Sequence, residues 1–328
     1  MTEALFIGLD LGGSEVKVGL GDGNGSLLWH SRLDSHGRDG GEAILGALED
    51  ATTLAIAQAT ELGGTIRALG LGTPGVVDHE TGRIRYPVAN LGGWCGTDLP
   101  GFFRDRFGFS AVIENDANAA AWGEYSAGAA RGAHSMVMTT VGTGIGGGAV
   151  IEGSLLRGAN GGAMELGHTL YAAEGRQCHC GLRGCVEAYA GGRSMAEEWG
   201  RRAMGRGVVI ETRLGGDPEL SDLLKAGSAG DPLANEVLDE GARALGRGLV
   251  SSLHLINPEI LVLGGGILEA RPRHKEIAIE TLKESILPKA LERLTISSAE
   301  CGNRAGMIGA FSLAAHSFGS QNKGVEPQ

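Results

Sequence analysis

The sequence predicts a duplicated α/β protein, and three observations carry that expectation. Two strand, glycine-turn, strand units stand about 130 positions apart. Helical periodicities separate and follow them. The 58 glycines gather in short clusters and form no repeating low-complexity tract, which excludes collagen-like and linker readings.

Ala4 to Leu11 is a near-continuous apolar run, as a buried strand requires; Gly12-Gly13-Ser14 is a turn and Val16 to Leu20 its return. Apolar residues then recur at helical spacing from about Glu42 to Ala59, followed by the strand-like Ala68 to Gly72 and the turn Thr73-Pro74-Gly75. Ala111-Val112-Ile113 reads as a strand, and the stretch Glu114 to Ala121 that follows it begins a helix. A second hairpin runs through Ser135 to Val141, turns at Gly142-Thr143-Gly144 and returns through Gly146 to Ile151. The segment from about Pro232 to Leu255 reads as a long helix leading to the buried strand Ile260 to Leu263 and then Gly264-Gly265-Gly266. Ala305 to Ser317 reads as a helix, with the last ten residues frayed. Repetition of one hairpin device predicts two halves with a cleft between them.

Length and composition narrow the functional classes. A chain of 328 residues that is 42% hydrophobic supports two domains, or one large divided one, around an ample core. A net charge of −11 argues against nucleic acid and against an anionic membrane surface as partners, and no apolar run reaches a transmembrane length. Polar and charged residues interrupt the start within a few positions, so no export segment is expected. Reduced cysteines used for metal fit a cytosolic setting.

Three of the 5 cysteines lie in Gln177-Cys178-His179-Cys180-Gly181-Leu182-Arg183-Gly184-Cys185-Val186-Glu187, ten residues after Glu165-Leu166-Gly167-His168. Three thiols and the imidazole of His168 complete a tetrahedral zinc shell with no open position, which makes the metal structural. The competing reading, a disulfide staple, suits small secreted domains rather than a chain of this size. Glu165 and Glu187 bracket the cluster, two acceptors beside an imidazole, an arrangement suited to a polyhydroxylated ligand. Cys95 and Cys301 read as ordinary thiols.

No Gly-x-x-x-x-Gly-Lys-Ser/Thr occurs, so phosphates require another cradle. Gly12-Gly13-Ser14 and Gly142-Thr143-Gly144 can point successive backbone N–H groups at a polyanion, with the hydroxyls of Ser14 and Thr143 as added donors. Asp10 stands where it could hold Mg²⁺ through water, with Lys17 near the phosphates. Gly264, Gly265 and Gly266 could cradle an adenosine; tight strand-to-helix packing explains them equally well, and glycine turns are also ordinary hairpins. Asn115 and Asp116 fit helix capping. At a strand end the Asp116 carboxylate could also take a proton from a sugar hydroxyl while Asn115 orients its neighbours. Asn90 could donate to the same ligand or cap its loop, and Trp94 reads as packing.

With these motifs assembled, the chain resembles sugar kinases of the ROK family over nearly its whole length, most closely the zinc-containing glucokinases. The resemblance rests on Asp10-Leu11-Gly12-Gly13-Ser14, Thr73-Pro74-Gly75, Glu114-Asn115-Asp116-Ala117-Asn118, Gly142 to Gly148, Glu165-Leu166-Gly167-His168 and the Cys-x-Cys-Gly-x-x-Gly-Cys-x-Glu knot. Ser14 departs from the threonine usual in the family but keeps the hydroxyl. The resemblance implies an actin-like ATPase (ribonuclease H-like) fold, with a smaller domain over residues 1–120 rejoined by a helix at about 305–318. It implies a larger domain over 121–304 carrying zinc and nucleotide contacts. It further implies Asp116 as catalytic base; Gly75, Asn90, Asn115, Glu165, His168 and Glu187 at the sugar; and His168, Cys178, Cys180 and Cys185 on zinc.

The implied activity is transfer of the γ-phosphoryl group of ATP to the 6-hydroxyl of glucose, with Mg²⁺ as the catalytic ion. N-acetylglucosamine or N-acetylmannosamine is the alternative sugar, and polyphosphate the alternative donor. A homodimer or homotetramer is implied by the same resemblance. Two non-enzymatic rivals are a sugar-sensing regulator, for whose DNA-binding module the first strand at residue 4 leaves no room, and a sugar-binding module. The binding module would not require Asp116 together with two phosphate turns.

Overall fold

In the computed structural model, which describes residues 3–323 other than 87, 89, 90, 209, 211 and 213–215, the first hairpin is β1 (Ala4–Leu11) and β2 (Glu15–Gly21). They pair antiparallel with Asp10 opposite Lys17. The next elements are β3 (Leu27–Asp34), α1 (Gly41–Glu61), β4 (Thr65–Thr73), the short β5 (Val77–Asp78) and β6 (Arg83–Ile84), α2 (Leu99–Phe107), β7 (Ala111–Asn115) and α3 (Asp116–Ser126). The first sheet has the order β3-β2-β1-β4-β7, with β1, β4 and β7 parallel. Ile44, Leu48, Ala51, Ala55 and Ala59 form the buried stripe of α1, at the three- and four-residue spacing of one helix face. They join Leu5, Ile7, Leu9, Leu69 and Leu71 of the strands in one core. Trp94 packs as expected, fully buried, and its Nε1 donates to Thr73 Oγ1 at 2.9 Å.

The second hairpin is β8 (Ser135–Val141) and β9 (Ile145–Ile151), followed by β10 (Ser154–Leu155), α4 (Glu187–Ala190), α5 (Gly192–Gly205), α6 (Leu220–Ser228) and α7 (Pro232–Ile256). Then come β11 (Ile260–Gly264), α8 (Gly266–Ala270), α9 (Pro272–Ser285), α10 (Pro288–Leu291), β12 (Thr295–Ser298) and α11 (Ala305–Lys323). The second sheet has the order β10-β9-β8-β11-β12, with β11 parallel to β8 and β12. The bounds of α7 follow from local chemistry. Asp231 accepts the Ala234 N–H at 2.6 Å, Pro232 takes the first turn where no N–H is needed, and Asn257 ends the helix at φ 50°.

Contacts divide the chain into two units, Met1–His134 with Gly148–Ala163 and Glu300–Gln328, and Ser135–Gly147 with Met164–Ala299. In the first unit α11 packs on α3, β1 and β4. It continues to Lys323, into the last ten residues expected to be frayed, because Phe311 and Ala314 of its apolar face stay buried and Phe318 meets Phe6 edge-on at 5.9 Å. The rest of that expected tail, residues 324–328, lies outside the described residues. Among the described residues, no helix is long and apolar enough to cross a membrane.

Candidate active site

In the first unit the turn between β1 and β2 closes with Gly12 N–H donating to Glu15 O at 2.8 Å, while Ser14 O accepts from Ser35 N–H at 3.2 Å. The N–H groups of Gly13 and Ser14 have no protein acceptor among the described residues. Lys17 is tied down: its Nζ lies 3.2 Å from Asp10 Oδ2 and donates to Asn303 Oδ1 at 2.8 Å. Burial pushes the Asp10 carboxyl up, against the pull of Lys17.

Asp116 opens α3 directly after β7. Asn115 caps that helix, its Oδ1 accepting from Ala117 and Asn118 N–H at 3.0 and 3.1 Å. Its amide nitrogen donates to Gly75 O at 3.1 Å and to Asp116 Oδ1 at 3.0 Å. Both donors and both lone pairs of Asn115 are therefore engaged, and its direct effect is to fix Asp116. Asp116 Oδ1 also accepts the Ala117 N–H at 2.9 Å, while no protein donor reaches Oδ2 among the described residues. Burial first, and the neighbouring Asp10 second, push the Asp116 carboxyl up to about 6.

Behind this pair lies support that the sequence does not announce. Glu114, only 4% exposed, accepts Arg157 Nε at 2.6 Å, Asn118 Nδ2 at 3.1 Å and Asn115 N–H at 3.0 Å. Arg157 is 43 positions away, so no local spacing reveals it. Asn90 lies outside the described residues.

In the second unit the turn between β8 and β9 is clamped. Gly142 N–H donates to Gly144 O, Gly192 N–H to Gly142 O and Arg193 N–H to Thr143 O, each at 2.9 Å. Glu187, the first residue of α4, accepts Ile145 N–H on Oε2 at 2.7 Å. Gly265 sits under the same turn at φ 98°, where a Cβ would overlap the Val141 backbone nitrogen. Close packing is therefore the observed role of Gly265, and α8 beyond it is a helix of only 5 residues.

His168, Cys178, Cys180 and Cys185 converge, with one candidate ligand atom each and all four atoms within 4.8 Å of one another. Cys180 and Cys185 sulfurs are 3.7 Å apart, and Cys178 Sγ is 3.8 Å from His168 Nδ1. Zn–S bonds of about 2.3 Å in a tetrahedron space their sulfurs by about 3.8 Å, so the set fits a four-coordinate metal of that kind. The knuckle closes because Gly181 N–H reaches Cys178 O at 3.1 Å and Cys178 N–H reaches Leu182 O at 2.8 Å. Gly184, at φ 80°, allows an approach to the Ala172 carbonyl that any Cβ would block. Burial, then the crowded sulfurs, push the Cys185 thiol up to about 12, which a divalent cation would reverse. Cys95 and Cys301 are free thiols. Glu165 is exposed and its carbonyl accepts the His168 N–H at 3.0 Å, so the two share one tight turn.

The paired sheets and glycine hairpins define an α/β fold of the actin-like ATPase class. The chain belongs to the ROK family, whose profile matches residues 6–317. A glucokinase from Thermotoga maritima is 34% identical over 97% of this chain and 100% of its own length. Among solved structures, a ROK hexokinase from Thermus thermophilus superposes with a TM-score of 0.82 at 35% identity, covering 96% of this chain and 99% of the other. A ROK family glucokinase from Streptomyces griseus, solved in complex with glucose and AMPPNP, gives 0.75 at 32% identity, covering 95% and 99%.

Proposed function

We propose that this protein transfers the γ-phosphoryl group of ATP to the 6-hydroxyl of a hexose, with glucose the preferred acceptor. The observation that carries the reading is Asp116: a partly buried carboxylate, held by Asn115, with one oxygen that no side chain donates to among the described residues, and pushed up to about 6 by burial. Such a group stays ionised at neutral pH yet is basic enough to accept a hydroxyl proton. As the bond from the sugar O6 to Pγ forms and the bond from Pγ to the bridging oxygen breaks, the proton passes to Asp116 and ADP leaves. The other chain groups position and stabilise: Gly13, Ser14, Thr143 and Gly144 offer N–H donors to phosphate oxygens, while Gly75, Glu165, His168 and Glu187 are assigned to sugar hydroxyls. Asn90 belongs to the same sugar assignment. Asp10 would hold Mg²⁺ through water, and the ion would supply charge neutralisation on the phosphates. Gly264 to Gly266 are assigned to the nucleotide.

Zinc on His168, Cys178, Cys180 and Cys185 is assigned a structural role, since a filled shell leaves no position for water. Because Nδ1 of His168 faces the cysteine sulfur, Nε2 is the nitrogen assigned to sugar. A soluble cytoplasmic homodimer or homotetramer belongs to the same proposal.

The test is a coupled ADP-release assay on the zinc-replete protein with Mg·ATP or polyphosphate and glucose, mannose, fructose, N-acetylglucosamine and N-acetylmannosamine. Turnover with glucose fastest supports the reading. Turnover fastest with an N-acetylhexosamine moves the substrate, and sugar binding without turnover favours a sensor.

A further inference from the structure

We infer that Glu187 is a positioning residue for the Gly142-Thr143-Gly144 turn, setting that turn's free N–H groups for the phosphates of the donor; the inference rests on the kinase reading above. All three turn carbonyls are occupied, Gly142 O by Gly192, Thr143 O by Arg193 and Gly144 O by Gly142. No carbonyl is left facing an anion, and the N–H groups of Thr143 and Gly144 are the turn's unpartnered donors among the described residues. Glu187 fixes the exit of the turn through Ile145 N–H, and its own carbonyl accepts Gly191 N–H at 2.9 Å, one residue before the α5 N–H groups that hold the turn. Clamp and turn are thus joined by one continuous segment, Glu187 to Arg193. That segment starts two residues after the metal-site Cys185, where Val186 N–H is anchored on Thr169 O at 3.0 Å.

The sign of the effect separates this role from mere proximity. A carboxylate near a polyanion site repels the ligand. If Glu187 only stood beside the turn, deleting it would strengthen nucleotide binding. If it holds the turn, deleting it leaves Ile145 N–H unpaired and the donors mobile, and binding weakens.

The experiment is calorimetric titration of the zinc-loaded full chain with Mg·AMPPNP in the absence of any sugar, so that an effect through sugar contacts does not enter. Glu187→Ala is expected to weaken binding about 10-fold, the scale of a hydrogen bond to a charged group. Glu187→Gln keeps an acceptor for Ile145 and removes the charge, so it should bind as tightly as the parent or more tightly. Glu187→Asp keeps the charge but withdraws it from Ile145, and should weaken binding as alanine does; it serves where circular dichroism finds the alanine variant unfolded. Alanine and aspartate variants binding as well as the parent overturn the clamp. A parent chain that binds no nucleotide overturns the kinase reading and the clamp with it.

Discussion

The two glycine hairpins are the same device in sequence and are held in place by different means. The β1–β2 turn closes through its own backbone bonds and is flanked by side-chain charge: Lys17 bridges Asp10 and Asn303, with Glu15 Oε1 at 3.8 Å. Backbone N–H groups of α5 and the side-chain carboxylate of Glu187 clamp the β8–β9 turn, in a segment that begins at the cysteine cluster. The difference teaches that such a glycine turn is specified twice. A strand, glycine, hydroxyl, strand pattern makes the turn, and a separate set of residues, distant in sequence, freezes it. Ionic support is adjustable by salt and pH, whereas support next to the cysteine cluster would respond to a metal held there.

Metal removal should break the symmetry most strongly. Apparent binding energies of about 10–16 kcal/mol for such sites mean that chelation takes order away from residues 165–193. Hydrogen exchange is expected to accelerate there and in the β8–β9 turn while β1 and β2 stay protected; equal loss in both hairpins would contradict the separation. Replacing Asp116 with asparagine should lower kcat by about 10²–10⁴-fold with little change in KM for the sugar. Because burial raises this carboxyl, its ionised form costs stability above pH 6 and not below the ordinary carboxylate range. The same Asp116→Asn variant should therefore raise Tm at pH 8 and leave it nearly unchanged at pH 3.

Smaller effects sharpen the contrast. Gly184→Ala forces a left-handed residue against the Ala172 carbonyl and should cost roughly 1–3 kcal/mol, read as reduced zinc per chain and a lower Tm. Lys17→Met should cost about 1 kcal/mol or less in stability, since the ion pair is partly exposed at 21% and 14%. Nucleotide affinity of that variant is expected to lose salt dependence, while a salt dependence equal to the parent's would remove Lys17 from the phosphate site.

Much of this arrangement was legible in the sequence. Continuous apolar runs marked β1, β4, β8 and β11, and the cysteine spacing marked a cluster whose atoms do converge. Elements without periodic apolar signals were not legible. β3 alternates half-buried and exposed residues along the sheet edge with His30, Arg32 and Asp34 among them, and α5 hides its start in Gly191-Gly192. The supporting contacts were also illegible. Arg157 on Glu114, Asn303 on Lys17 and Ile145 on Glu187 join positions 43, 286 and 42 apart, distances that no local pattern encodes. In sequence Asn115 fits a sugar contact or a cap, and its four engaged hydrogen-bonding positions favour the cap that aims Asp116.

The most direct test of Asp116 as the base is the pH dependence of kcat/KM for glucose between pH 4.5 and 8, a span that brackets the carboxyl's raised value of about 6. The base works ionised, so the account predicts a plateau above about pH 6 and a fall of about tenfold per unit below it. A rate unchanged down to pH 5 in the parent chain would contradict a proton acceptor with this pKa.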